Sequence, residues 1–334
     1  MDLNKLAEDI RNFEGVTRKK PISNIVEIFE QVHLEYSDSI VDFGDDAAII
    51  DIGGEDVILF AADGIWSRLL KNPWWAGYSS VVVNVADIAA MGGRPISMVN
   101  VLSSNNLDGC NGILSGIRDG VAKFGVPMVG GHMHPDTPYI SLAVAIIGIA
   151  KKDCVIRSDT AKPGDSIIVC YDLDGRIGPN SIYSWDTTSM KSPKNVREKY
   201  QIMQKIALEK LATAGKDISN PGTIGTLGML LETSKVGAEI DLTKILRPNK
   251  TNIDFAHWLK VFPASGFIVT TESKNSFRVI ELFESVGLSA SVVGEITNHR
   301  LLEICNGDER AIVFDFRKDS ITGIVSNTNK KGGL

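Results

Sequence analysis

The chain has 334 residues, of which 43% are apolar and 23% charged, and its net charge is −6. This composition is typical of a globular protein that is long enough for two domains. The sequence has no long basic stripe, which argues against generic nucleic-acid binding, because such binding needs clustered Lys and Arg against the phosphates.

Three further features limit where the protein is expected to work. The best apolar run, Ile140 to Ala150, is shorter than the roughly 20 residues that span a bilayer. The charged N-terminus does not have the apolar core of a secretory signal. Four scattered cysteines form no C-x-x-C pair, which argues against a zinc ribbon or a disulfide scaffold. We therefore expect a cytoplasmic protein that binds neither nucleic acid nor membrane.

The first 40 residues predict a short helix, then a mobile basic segment ending in V-T-R-K-K-P, then a helical turn or two from Asn24 to Gln31. From Asp45 the pattern predicts a hairpin: strand A-A-I-I-D-I, turn G-G-E-D and strand V-I-L-F-A-A-D. If the hairpin turns about Gly54, residue 45 faces residue 63, because antiparallel partners keep a constant sum of residue numbers. Asp45 and Asp46 would then begin one strand beside the point where Asp63 ends the other.

The run from Trp74 to Met91 predicts a largely buried helix that ends at the Gly92-Gly93 pair. Within it Asn84 and Asp87 are three residues apart and share one face. A carboxylate in an otherwise apolar helix needs a partner.

The remaining elements of the first half are strand, helix (about Leu107 to Phe124), strand and strand, which completes the order β-β-α-β-α-β-β. This order predicts an α+β domain with a mixed or antiparallel sheet. Beyond it we expect a C-terminal α/β domain with helices at about Val196 to Ala214 and Ile224 to Val236. We expect the chain to divide into a helix with a mobile basic segment (1–40), an N-terminal domain (41–155) and the C-terminal α/β domain (156–325).

The chemistry of the sequence centres on four acids, Asp45, Asp46, Asp63 and Asp87. Four carboxylates at one sheet edge would be destabilising unless cations neutralise them. Oxygen-only ligation suits magnesium, which keeps its waters and bridges to substrate phosphates. Taken alone, an aspartate in a turn is more often a simple cap than a ligand, but this interpretation is weaker for Asp87, because a carboxylate buried in the middle of a helix beside Asn84 needs a partner. The sequence has no P-loop, no strand-linked G-x-G-x-x-G, no G-x-S-x-G and no H-E-x-x-H motif.

Several longer motifs occur in order along the chain: G-D-D-A-A, A-A-D, N-V-A-D-I-A-A-M-G-G-R-P, V-G-G-H, A-K-P-G-D and V-G-A-E-I-D-L. Together they resemble the aminoimidazole ribonucleotide synthetase (PurM-like) superfamily, which includes thiamine monophosphate kinase, selenophosphate synthetase and a hydrogenase maturation protein. The resemblance covers most of residues 40 to 300. The whole chain looks most similar to the branch called methanogenesis marker protein 2.

The resemblance implies a two-domain PurM-like fold that binds ATP with magnesium, dimerises through its N-terminal domains and activates an oxygen by phosphorylation. Carried over by position, Asp45, Asp46, Asp63 and Asp87 would hold magnesium against the ATP phosphates. Asn84 would support Asp87 or a phosphate. Gly130 and Gly131 would let the backbone approach the nucleotide. The implied catalytic residues are Asp45, Asp63, Asp87 and His132.

The chain departs from its relatives at informative positions. His132 stands where thiamine monophosphate kinase has an acid, and Asn220 stands where the kinase motif has an aspartate, so thiamine monophosphate is a doubtful substrate. No cysteine precedes Cys110, which argues against selenide chemistry. The chain ends in G-G-L rather than in the cysteine of the maturation protein.

Three features keep two interpretations each. His132 and His134 are either metal ligands or, as we favour, a hydrogen-bonded pair in a polar cleft, where a protonated His132 could donate to a γ-phosphoryl oxygen. The cations from Arg18 to Lys20 form either a solvated segment or a lid, in which Lys19 and Lys20 would bind ATP phosphates. The stretch from Asp217 to Gly228 is either an ordinary capped helix or an anion site.

In the second interpretation of that stretch, Asp217 and Asn220 bind the cofactor or the second substrate. The sequence thus predicts a homodimeric, ATP- and magnesium-dependent enzyme that phosphorylates or activates an unidentified small molecule. The alternative is a non-catalytic nucleotide-binding scaffold or sensor in cofactor or enzyme maturation. The changed D-I-S-N-P motif favours the alternative, and the intact acid cluster opposes it.

Overall fold

The fold is taken from a computed structural model that describes residues 2–36, 39–41, 43–179, 181–249, 253–262 and 266–324. The helices of this part are α1 (Leu3–Arg11), α2 (Glu14–Thr17), α3 (Ile22–Tyr36), α4 (Pro73–Ala90), α5 (Leu107–Phe124), α6 (Pro193–Leu208), α7 (Gly222–Ser234), α8 (Phe255–Trp258) and α9 (Ser276–Ser285). Short 3₁₀ helices lie at Leu69–Lys71, Lys152–Cys154, Leu242–Lys244 and Ser273–Asn275. None of the described helices is long and apolar enough to cross a membrane.

Within the described residues the strands form two large sheets and one small ribbon. Those of the first sheet are β1 (Ser39–Val41), β2 (Ala48–Asp51), β3 (Asp56–Gly64), β4 (Arg94–Ser103), β5 (Met128–His134) and β6 (Ser141–Lys151). Those of the second are β7 (Asp165–Tyr171), β10 (Ala214–Asp217), β11 (Gly237–Asp241), β12 (Gly266–Glu272), β13 (Ser289–Thr297), β14 (Leu301–Asn306) and β15 (Glu309–Asp315), while β8 (Arg176–Ile177) pairs with β9 (Trp185–Asp186).

The first sheet has the order β1-β2-β3-β6-β4-β5 and is mixed, because β4 and β5 are parallel while the other pairs are antiparallel. Apolar side chains of α4 and α5 share one core with this sheet, so the helices cover one face. This confirms the α+β class and the predicted element order, to which the structure adds the edge strand β1.

The predicted hairpin register is also confirmed. Ile49 pairs with Leu59, and Gly53 and Gly54 make the turn with φ of 81° and 83°, a region that favours glycine. The ladder ends where Ala48 pairs with Phe60. The chain before β2 therefore leaves the sheet instead of continuing alongside the end of β3.

Helix α4 connects the two halves of the molecule. The Asn72 side chain accepts a hydrogen bond from the Trp75 N–H and caps its start, and Gly92 follows its end with φ of 73°. Its last residues, Ala89 and Ala90, are buried in the core of the second sheet. The helix therefore carries polar residues of its final turns to the junction between the halves.

The second sheet has the order β10-β12-β7-β13-β11-β14-β15 and is covered on both faces. In strand β7, which has a neighbour on each side, Ile167 packs in the core that holds α7, whereas Ile168 packs in the core that holds α6 and α9. Leu6 and Ile10 of α1 are buried in the α7 core, so the start of the chain is packed on the C-terminal half.

Two predicted elements are wrong. The helical turn or two expected over 24–31 is the 15-residue helix α3 (Ile22–Tyr36). The helix expected over 196–214 ends at Leu208, and the chain from Ala214 to Asp217 is strand β10. The break follows from the backbone at Lys210, whose φ of 52° cannot continue a right-handed helix. Strand β10 then pairs with β12 at the edge of the second sheet, which carries Lys216 and Asp217 to the junction.

Candidate functional site

Three aspartates from separate elements meet at the junction between the two halves. Asp46 precedes β2, Asp87 lies in α4 and Asp217 ends β10, and one carboxylate oxygen from each lies within 4.8 Å of the others. Asp217 is buried, and the side chain of Asp46 is only 6% exposed. Such a set of oxygen donors matches the preference of magnesium.

Strand β10 also supplies a cation to this group. The Lys216 Nζ pairs with the Asp46 carboxylate, and its side chain is 5% exposed. The backbone N–H of Asp217 donates to the second oxygen of Asp46 at 3.4 Å. Asp46, from the N-terminal half, is thus held by two consecutive residues of the C-terminal half.

The electrostatics show that this single lysine does not neutralise the group. Burial raises the pKa of Asp217 to about 8, and the neighbouring Asp46 adds to the rise. Burial likewise raises the pKa of Asp87 well above its usual value, and the charges of Asp217 and Asp63 raise it further. Burial opposes the charge of Lys216, but Asp46 and Asp45 outweigh burial, so the pKa of Lys216 is raised. One lysine therefore does not balance the negative charge that the carboxylates of this group would carry when ionised.

Asp45 lies outside this group of three. Its Oδ2 accepts a hydrogen bond from the Ser158 N–H at 2.8 Å, and its Oδ1 accepts one from the Asp46 N–H at 2.9 Å. Burial raises its pKa to about 6, although Lys216 lowers it. The hydrogen bond to Oδ2 thus ties the loop before β2 to the segment that leads into the second half of the chain.

Asp63, near the end of β3, faces the cations of the N-terminal segment. Burial raises its pKa, while the charges of Lys19 and then Arg18 lower it. Lys19 also lowers the pKa of Asp217, so its ammonium lies within electrostatic reach of the acids. Lys20 is exposed.

The basic segment, expected to be mobile, follows a helix that is packed on the molecule, although Arg18 and Lys20 themselves are exposed. The Arg18 guanidinium lies over the Trp66 ring at 4.8 Å from its centroid. A Cβ on Gly15 would lie 2.0 Å from the backbone oxygen of Asn220, so α2 sits directly on the turn after β10. This contact accounts for the glycine at position 15 and shows Asn220 in a packing role.

Asn84 is fully buried, and its Nδ2 donates to the Ser80 carbonyl at 2.8 Å in its own helix. Its Oδ1 has no hydrogen-bond partner among the described residues. A buried acceptor without a partner costs free energy. This oxygen is therefore a candidate for receiving a hydrogen bond from a bound ligand or water.

The histidines and the glycine pair lie elsewhere, on edge strand β5. The rings of His132 and His134 are exposed and 4.6 Å apart between centroids. Strand β5 is three positions from β3 in the sheet order, which corresponds to roughly 14 Å at the usual strand spacing. A Cβ on Gly131 would lie 2.4 Å from the Asn100 backbone oxygen, whereas Gly130 faces open space apart from Val99. Gly130 is thus the one of the pair that leaves room for a ligand.

Lys216 was missed by the sequence analysis because its segment followed a predicted helix. Its ion pair joins residues that are 170 positions apart, which no local pattern reveals. A signal was available in A-G-K-D-I, where a lysine precedes the first acid of the D-I-S-N-P motif.

Replacing Lys216 with methionine should destabilise the metal-free protein by about 3–5 kcal/mol, because Asp46 would remain buried without its partner. Added magnesium should restore most of the loss if it binds the same carboxylates. Urea unfolding with EDTA and with magnesium measures both effects. An unchanged midpoint in EDTA would show that Lys216 does not compensate the acids.

Family models match each of the two halves of the chain, and together they define the class of protein. The model of the AIR synthase related protein N-terminal domain matches residues 44–150, and that of the C-terminal domain matches residues 162–304. The chain belongs to the AIR synthase related family. The PurM-like fold expected from the sequence is confirmed.

Individual relatives agree with this assignment. An uncharacterized protein of Methanocaldococcus jannaschii is 52% identical over 325 residues, covering 97% of this chain and 100% of the relative. PurL of Thermotoga maritima, solved with ATP, superimposes with a TM-score of 0.69 at 18% identity over 80% of this chain and 45% of PurL. Thiamine-monophosphate kinase of Stenotrophomonas maltophilia superimposes with a TM-score of 0.59 at 20% identity over 84% of this chain and 95% of the kinase.

Proposed function

We propose that the protein is an ATP- and magnesium-dependent enzyme that phosphorylates or otherwise activates a small molecule. The observation that carries the proposal is the junction of Asp46, Asp87 and Asp217, whose carboxylate oxygens lie within 4.8 Å of one another. The structural relatives PurL, solved with ATP, and thiamine-monophosphate kinase support the nucleotide. The proposal includes a role in methanogen metabolism, supported by the resemblance to methanogenesis marker protein 2.

In this proposal Asp46, Asp87 and Asp217 hold the metal, and Asp63 and Asp45 lie at the edge of the site. Bound magnesium would neutralise the negative charge of the carboxylates and of the ATP phosphates. Lys216 positions Asp46 through their ion pair. Lys19 and Lys20 are the proposed phosphate partners from the N-terminal segment. Phosphoryl transfer at such a site depends on positioning and charge rather than on a covalent protein intermediate.

The remaining predicted residues have supporting positions in the proposal. Asn84 offers the free Oδ1 to a ligand of the metal or phosphate. Gly130 and His132 lie on β5 and would contact the nucleotide only if it extends along the sheet to that edge. Asn220 keeps its packing contact with Gly15, which fixes the turn that follows Asp217.

Calorimetric titration of ATP, first with magnesium and then with EDTA, tests the proposed function. We expect binding that requires magnesium, because without the cation the carboxylates repel the phosphates. Absence of binding under both conditions would contradict the nucleotide site and favour a scaffold without nucleotide. Magnesium-independent binding would contradict the role of the acids.

The proposed homodimer would use the uncovered face of the first sheet. Phe60, Val99, Val101 and Val129 are exposed on strands β3, β4 and β5, whereas the opposite face of this sheet is covered by α4 and α5. Contiguous exposed apolar surface of this kind is typical of protein interfaces. This surface supports dimerisation through the N-terminal halves.

Replacing Val99 with aspartate should convert the dimer to a monomer, because an unpaired charge would be buried at the interface. Light scattering after size-exclusion chromatography measures the mass. Phe277 on α9 is 79% exposed and lies outside this face, so Phe277→Asp is the matched control and should leave the mass unchanged. A dimer that persists in Val99→Asp would exclude this face.

A further inference from the structure

A cavity lies at one edge of the C-terminal half, apart from the acid cluster. Its volume is about 280 Å³, and it is lined by Leu242, Thr243, Ile245, Arg247, Phe255 and Asn306. An apolar cavity of about 150 Å³ is large enough to bind benzene. The cavity therefore has room for a ring with a polar group attached.

The fold places this cavity at the carboxyl ends of two parallel strands. Strands β11 and β14 are parallel neighbours in the second sheet. Leu242 follows the last residue of β11, and Asn306 is the last residue of β14. In open α/β sheets, ligands bind outside the carboxyl ends of the strands. The position of the cavity is therefore typical of a ligand site.

The cavity is separate from the acid cluster, although both lie at the same edge of the sheet. The succession of antiparallel pairs from β10 to β11 gives these two strands the same direction. Their ends are four positions apart in the strand order, which corresponds to roughly 19 Å at the usual strand spacing. None of the six lining residues is one of the three clustered acids.

Three of the lining side chains form an apolar wall. Leu242 and Ile245 are buried and belong to the core of the C-terminal half. Phe255, the first residue of α8, is half-buried and packs against the same core. Because the core holds these side chains in place, we expect the apolar wall to be present before a ligand binds.

The cavity also has one cationic lining residue, Arg247, which is exposed and has no ion pair with a described residue. The acids that flank it in the chain have other partners. Asp241 accepts hydrogen bonds from the N–H and the Oγ1 of Thr243 at 3.0 and 2.6 Å and pairs with Lys244 at 3.7 Å. Asp254 caps the start of α8. The Arg247 guanidinium is therefore available to a ligand.

We propose that this cavity binds a small carboxylic acid with an apolar ring or branched chain. The planar fork of N–H donors on Arg247 matches the two oxygens of a carboxylate, and one cation matches one negative charge. The apolar body of the ligand lies against Leu242, Ile245 and Phe255. An exposed arginine alone is common on protein surfaces, but the cavity and its fixed apolar wall give this one a binding site. The proposal does not depend on the proposed function.

The test uses the full chain in EDTA without nucleotide and titrates benzoate at constant ionic strength, observed by saturation-transfer NMR. The wild type should bind benzoate, and Arg247→Met should weaken binding at least about tenfold, because the charge-assisted hydrogen bonds are lost. This variant should fold, since Arg247 is exposed. Arg11→Met, at an exposed position of α1, is the matched control and should bind benzoate like the wild type.

Two further probes separate the charge of the ligand from its apolar body. Acetate has the carboxylate without the ring, and benzyl alcohol has the ring without the charge. Each should bind at least about tenfold more weakly than benzoate, because one loses the apolar contact and the other loses the charge-assisted contact. Acetate binding as tight as that of benzoate would contradict the role of the apolar wall. Benzyl alcohol binding as tight as that of benzoate would contradict the role of Arg247.

Three outcomes would overturn the proposal as a whole or in part. Equal benzoate affinity in the wild type and Arg247→Met would overturn it, as would no benzoate binding by the wild type. Tighter binding of phenyl phosphate than of benzoate would overturn the assignment to a carboxylate. MgATP should leave the benzoate affinity unchanged, because the cavity and the acid cluster share no residue. Displacement of benzoate by MgATP would overturn the assignment of a separate site.

Discussion

Asp87→Asn is expected to lose magnesium-dependent ATP binding by at least about 100-fold, or ~2.8 kcal/mol, while making the metal-free protein more stable at pH 8. Burial, and after it the charges of Asp217 and Asp63, raise the pKa of Asp87, so an ionised Asp87 costs stability, and a neutral asparagine removes that cost. Calorimetry measures the first effect and thermal unfolding in EDTA measures the second. The opposite signs separate a ligand role from general damage to the fold.

Asp165→Asn is the matched control for this substitution. Asp165 is also buried, but its Oδ2 accepts hydrogen bonds from the Lys162 N–H at 2.8 Å and the Thr213 Oγ1 at 2.7 Å. We expect this variant to lose about 1–2 kcal/mol of stability and to bind MgATP normally. Normal MgATP binding by Asp87→Asn would contradict the metal assignment.

The second large effect is a dependence of stability on pH that magnesium reverses. Asp217 and Asp45 have pKa values raised to about 8 and about 6 from the usual 3.8. Between the unfolded and folded pKa values the folded protein holds more protons than the unfolded chain, so stability falls as pH rises. Lys216, whose pKa is raised from 10.5, keeps its charge throughout this range.

In EDTA the melting temperature should therefore fall by several degrees from pH 5 to pH 8. With magnesium the fall should be reduced or abolished, because the cation binds the ionised carboxylates and stabilises the folded state by mass action. Differential scanning calorimetry at the two pH values measures all four conditions. Equal falls with and without magnesium would show that the acids do not bind it.

Most of the fold could be predicted from the sequence, because most helices and strands have local sequence signals. The turn glycines and alternating residues of the β2–β3 hairpin predicted its register, and the apolar run from Trp74 with its glycine stop predicted α4. Strand β10 could not be predicted from the sequence, because it has only four residues and Lys216 interrupts its apolar pattern. Its strand conformation depends on pairing with β12, far away in the sequence.

Only part of the candidate site could be predicted from the sequence, because the rest also depends on contacts between residues far apart in the sequence. Asp46 and Asp87 were predicted as neighbours, and the structure brings them together. The loop at Asp45 turns away because Gly44, with φ of 106°, packs against Ile324 and Thr233, contacts that no local pattern contains.

The ion pair between Lys216 and Asp46 has a consequence for how the site fills. In the proposed site, magnesium at Asp46 would meet an ammonium group that already pairs with this carboxylate, so Lys216 would compete with the metal and lower its apparent affinity. Because the ion pair also joins the two halves of the molecule, we expect a metal bound at Asp46 to change how tightly the halves are held together.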